Sequence, residues 1–95
     1  MRELLEVDLI SSICKNPDLL EHIRGFCPIA PENFQDKMLG RIFRALEEAK
    51  RHGRPLVTEE IRKFDPSLDP DLLGWLLDRP SSDLGWRFVV ADMKS

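Results

Sequence analysis

The residues able to do chemistry are few and scattered. His22 and His52 each fall at the solvent-facing end of a helical pattern, without a cysteine or carboxylate at the spacing of a metal site or a catalytic triad. Their expected role is to complement a helix dipole. The acid pairs Glu47-Glu48 and Glu59-Glu60 sit at adjacent positions, and adjacent side chains on a helix do not converge on one face, so they predict solvated surfaces rather than acid/base couples. Asp65, Asp69 and Asp71 are spaced like the start of a calcium loop, but the glycine and closing glutamate that such a loop needs are missing. Cys14 and Cys27 belong to no CxxC or Cys/His cluster, which predicts reduced thiols. The sequence also lacks GxxxxGK[ST], GxGxxG, HExxH and GxSxG motifs. The expectation is a protein that is not an enzyme, with no catalytic residue, no metal and no cofactor.

Two features point to binding. Lys37, Arg41, Arg44 and Arg51 recur at i, i+4, i+7 and i+14, with Lys50 and Arg54 nearby and Glu48 interrupting the row. Such a stripe is either the polar back of an amphipathic helix or a surface for phosphate or an acidic partner. The closing segment holds Trp86, Phe88, Val89, Val90, Ala91 and Met93, more apolar side chains than one stripe can accommodate. It predicts either a helix buried on two sides or one with a spare face. Aromatic residues and Met are enriched in interface cores, so the expected partner-binding residues are Trp86, Phe88, Val90 and Met93 as apolar anchors, with Arg41 and Arg44 as rim charges.

The elements that must carry these residues are helical throughout. Leu5, Leu9 and Ile13, flanked by Ile10 and Cys14, predict an amphipathic helix over Arg2 to about Lys15. Asn16-Pro17 stops it and opens a second helix, to about Arg24, that Gly25 closes. Phe26 to Pro31 reads as a packed loop with Phe26 and Ile29 facing the core. From about Pro31, Phe34, Met38, Ile42, Ala45 or Leu46, and Ala49 trace a central helix ending at Gly53, supported by a Glu47/Arg51 pair. Thr58 caps a helix to about Phe64, and Asp69-Pro70 opens another around Trp75 that Asp78-Arg79-Pro80 ends. Ser81 or Ser82 caps a last helix to about Lys94. The fold expected is all-α, a compact bundle of five to six short helices.

At 95 residues the chain has room for one core, so residues 1–95 are expected to form one domain. A 42% hydrophobic and 33% charged composition is that of a folded protein. The net charge of −3 and pI near 5.3 demote nucleic-acid binding, where pI above about 9 is usual, to weak or indirect. No apolar run approaches the roughly 20 residues that span a bilayer, and nothing resembles a signal peptide, so the expectation is a soluble cytoplasmic protein.

In this order, an opening apolar helix running into NPDLLEHI (Asn16 to Ile23), then APENF (Ala30 to Phe34), GRIFRALEEAKRHGRP (Gly40 to Pro55) and FVVADMK (Phe88 to Lys94) carry a family likeness. The chain resembles the helical bundle shared by the C-terminal helicase-binding domain of DnaG-type bacterial primase and the N-terminal domain of DnaB-type replicative helicase. These are core-and-cap patterns, and NPDLL with an acidic residue in the closing helix looks like the primase side. The helicase side usually has an aspartate soon after the Gly-x-Pro turn, where this chain has Leu56-Val57-Thr58. The primase domain generally continues into a further helical hairpin, whereas this sequence stops at Ser95. The resemblance implies a non-catalytic interaction module of bacterial DNA replication, part of the primosome, whose partner is a replicative DNA helicase hexamer. On the helicase branch it implies self-association or a primase partner. A small helical nucleic-acid-binding protein is the remaining alternative.

Overall fold

The computed structural model describes residues 2–80 and 85–94, with side chains from Leu4 onward. Among these residues the order is α1 (Arg2–Lys15), α2 (Leu19–Phe26), a 3₁₀ turn (Pro31–Asn33), α3 (Lys37–Arg51), α4 (Thr58–Phe64), α5 (Pro70–Asp78) and α6 (Trp86–Lys94), with no strand. The all-α bundle expected from the periodicity is the fold observed. The expected cap at Ser81 or Ser82 lies outside the described residues.

Local chemistry sets the boundaries, at some points differently from expectation. Asp69 does cap α5: its Oδ1 accepts the Asp71 N–H at 2.9 Å, with Pro70 at the first helical position. The helix expected from Pro31 is instead two pieces. Asn33 Oδ1 accepts the Ala30 N–H at 2.7 Å and closes a single turn, then the chain extends through Phe34, and α3 starts afresh on Asp36. Asp36 Oδ1 accepts from the Met38 and Leu39 amides at 2.8 and 3.3 Å, a stronger start signal than Pro31 offers. Elsewhere the side-chain caps are absent. The Asn16 backbone carbonyl, rather than its side chain, receives the Leu19 N–H at 2.9 Å, and Asp18 stands at the cap position without a side-chain bond. Helix α2 runs through Gly25 to Phe26. Extended Val57, not Thr58, precedes α4. Gly53 ends α3 as expected, at φ 69°, a conformation that glycine adopts without penalty.

The hub of the bundle is α1, where α3 was expected. Leu9, Ile10, Ser11, Ser12 and Ile13 are all buried, because this half of α1 is wrapped by α2, α3, α5 and α6. Helix α3 packs on α1, on α4 and on the 3₁₀ turn, burying Leu39, Ile42, Phe43, Ala45, Leu46 and Ala49. At the other end of α1, Leu5 was expected inside and is 47% exposed, while Glu6 is fully buried. The two Glu6 carboxylate oxygens lie 3.1 and 3.2 Å from the Gln35 amide, which donates to them and ties α1 to the segment entering α3.

Gly40 fixes the place of the 3₁₀ turn. A Cβ there would stand 2.5 Å from the Pro31 carbonyl oxygen, so only glycine lets the turn lie against α3. The contact brings Phe34 into the core, its ring 5.2 Å from that of Phe43. Ile29 is buried as expected. Phe26 is 51% exposed, since the extension of α2 by two residues carries it to the surface.

Candidate interaction surface

Helix α6 divides its apolar residues between two faces. Val90 and Met93 are buried, at 0% and 3% exposure, and hold the helix in the bundle, where it packs against α1 and α2. Expected as partner-binding anchors, they are core residues instead, one turn apart on the inward face. Trp86 occupies the edge. It is half-buried, and its ring meets that of Phe26 edge to face, 5.8 Å between centroids and 82° between planes. Phe88 points away from the bundle and is 82% exposed.

Arg87 lies between Trp86 and Phe88 in sequence and around the helix. Its guanidinium sits 4.7 Å from the Trp86 ring centroid and 6.0 Å from that of Phe26, within the range of a cation–π contact to both. It has no carboxylate partner among the described residues. Arg87 was not among the residues expected to bind, and Phe26 was expected to face the core. The signal available was the adjacency of a cation to Trp86 and Phe88, but the pairing of Phe26 with Trp86 spans 60 positions and no local pattern announces it.

The basic stripe of α3 is largely neutralised from within. Arg41 grips Asp65 through Nη2 and Nε at 3.0 and 3.2 Å, and Nη2 also donates to the Ser67 hydroxyl. Lys50 stands 3.4 Å from Asp18 and 3.7 Å from Glu21, and Arg54 is 3.1 Å from Glu60. Arg51 pairs with Glu48 at 3.2 Å rather than with Glu47. Arg44 is exposed without an ion pair among the described residues, so of the two expected rim charges only Arg44 is at liberty. The two arginines are also remote in role from α6, which makes no extensive contact with α3.

Between α2 and α3 a cleft of about 270 Å³ is lined by Leu20, Glu21, Arg24, Glu47, Lys50 and Arg51. Desolvation raises the Glu47 carboxyl above its ordinary range, against the pull of Arg24, Arg51 and Arg44. Three cations, Arg24, Lys50 and Arg51, face two carboxylates, Glu21 and Glu47, along the walls of the cleft.

The remaining candidates for chemistry are spread over the fold. His52 is exposed, its Nδ1 2.8 Å from the Glu48 carbonyl and its ring 5.2 Å from Phe64. His22 is exposed on α2. Asp65 holds Arg41 and Asp69 caps α5, and no group of three His, Cys, Asp or Glu among the described residues is placed to hold a metal. Burial pushes the Cys14 thiol up to about 12, with Lys15 opposing the shift, so the thiolate is scarce near neutrality. Trp75 is 52% exposed and carries the Arg79 guanidinium 5.2 Å from its ring. Arg79 in turn reaches Asp8 on α1 at 3.1 Å. No helix among the described residues is long and apolar enough to cross a membrane.

Set against models of protein families, curated proteins and solved structures, the chain matches none.

Proposed function

We propose that this chain is a non-catalytic protein-interaction module of bacterial DNA replication that docks onto a DnaB-type replicative helicase hexamer, like the primase domain it resembles. The observation that carries the docking reading is Phe88, a large aromatic side chain held 82% exposed on a helix whose other face is committed to the core. Beside it, Trp86 and Phe26 add aromatic edges and Arg87 a cation, the residue types over-represented at interface hot spots. The replication context rests on the likeness of the NPDLLEHI, APENF, GRIFRALEEAKRHGRP and FVVADMK segments. Free thiols at Cys14 and Cys27 agree with a cytoplasmic setting.

Nucleic acid is the weaker partner class. The stripe that would meet phosphate has Arg41, Lys50, Arg51 and Arg54 engaged with carboxylates, and the chain carries a net charge of −3. Size-exclusion chromatography with light scattering, on the protein alone and mixed with a DnaB-type hexamer, tests the proposal. Co-elution of an otherwise monomeric protein supports it. Self-association without helicase binding moves the assignment to the helicase N-terminal branch, and neither result removes the replication reading.

A further inference from the structure

We infer that the α6 surface formed by Phe26, Trp86, Arg87 and Phe88 receives an acidic, leucine-rich amphipathic segment of its partner. The inference rests on the docking reading above and names the chemistry of what docks. Charge is the argument. Four of the eight arginines whose side chains are described pair with a carboxylate, Arg41 with Asp65, Arg51 with Glu48, Arg54 with Glu60 and Arg79 with Asp8, while Arg62 donates to the Leu68 and Pro66 carbonyls, Arg24 lines the α2–α3 cleft and Arg44 is exposed on α3. Arg87 is instead held over two aromatic rings, without a carboxylate partner among the described residues, in the middle of the apolar surface. Asp92, further along α6, has an interaction of its own.

An aromatic face with one central, unneutralised guanidinium is complementary to apolar side chains that bracket a carboxylate. Stacking on Trp86 and Phe26 orients the guanidinium plane and reduces the side-chain freedom lost on pairing. A second copy of this chain fits less well. An isologous contact sets the patch against itself and brings Arg87 toward its own copy, like charge to like. Single-stranded nucleic acid would use the same rings for base stacking, but needs a basic groove to follow the backbone, and among the described residues Arg87 is the one cation held over these rings.

The test uses the full chain with Trp75→Phe, so that Trp86 is the sole fluorophore of the two tryptophans. The probes are an amphipathic peptide of about 15 residues with leucines at i and i+4 flanked by glutamates, its lysine counterpart, and an oligothymidine. The expected result is that the glutamate peptide alone shifts Trp86 emission and the amide resonances of Phe26 and residues 86–91. Arg87→Glu is expected to weaken it by about tenfold or more and to admit the lysine peptide. Equal binding of both peptides, binding of oligothymidine alone, shifts confined to other helices, or a concentration-dependent dimer that these substitutions abolish would each overturn the inference. Binding of the glutamate peptide by a protein that ignores the helicase would leave the inference standing and remove the helicase reading. Helicase binding indifferent to Arg87→Glu would do the reverse.

Discussion

Arg41 and Asp65 meet as a two-point ion pair, Nη2 to Oδ1 at 3.0 Å and Nε to Oδ2 at 3.2 Å, joining α3 to the loop that leaves α4. The Asp65 carboxyl is held below its ordinary range first by the Ser67 hydroxyl at 2.6 Å and its amide at 3.2 Å, then by Arg41, with desolvation opposing them. A carboxyl depressed in the folded state binds its proton less readily there than in the unfolded chain. Its stabilisation is therefore present above the unfolded value near 4 and is lost as pH falls through the lower folded value. The urea midpoint of Asp65→Asn should lie below that of the wild type at pH 7, and the two should converge as pH falls through the depressed folded value.

Gly40→Ala should destabilise the protein by about 1–3 kcal/mol, although alanine is ordinarily the better helix former by nearly 1 kcal/mol. The new methyl would meet the Pro31 carbonyl, which is backbone and cannot swing aside. Thermal denaturation followed by circular dichroism gives the sign directly. A stabilised variant would show that the 3₁₀ turn can move off α3 at little cost.

Phe88→Ser and Met93→Ala separate the two faces of α6. Phe88 is 82% exposed, so its replacement should change stability by no more than about 0.5 kcal/mol. Met93 is 3% exposed, and truncating it should cost roughly 2–5 kcal/mol. Chemical denaturation of both variants checks the pair. Comparable losses would mean that Phe88 packs against the bundle in solution.

Cys14, with its thiol pushed up to about 12 by burial, should react with a disulfide reagent at pH 8 far more slowly in the native protein than in urea. Cys27, a second free thiol just past the end of α2, serves as the internal comparison. Mass spectrometry of the singly modified product should place the label on Cys27.

What could be read from the sequence was the set of features that act over one or two turns. The 3.6-residue spacing of Ile42, Ala45, Leu46 and Ala49 and the Asp69-Pro70 opening describe the buried face of α3 and the start of α5 as they are. Residues placed by distant partners escaped that reading. Glu6 enters the core because the Gln35 amide, 29 positions away, awaits it, and Ser11 is covered because Arg79 reaches over from α5 at 3.4 Å. The same limit divided the candidate site. Phe88 and Trp86 were identifiable by type, whereas the burial of Val90 and Met93 depends on which face of α6 meets α1 and α2, and Arg41 was already claimed by Asp65. Periodicity finds that a helix is apolar on several sides without deciding which side its neighbours take.

The wrapping of α1 also governs the order of events during synthesis. Its Leu9–Ile13 segment leaves the ribosome well before α5 and α6, which cover it. Until residues beyond 70 are available, Ile10 and Ile13 have no complete enclosure and Asp8 lacks Arg79, 71 positions downstream. The nascent chain must therefore hold α1 half-covered until α5 and α6 have been made, and close around it only then. Shortened versions that drop α6 would keep that vulnerable state permanently, as targets for chaperones and proteases rather than as smaller working domains.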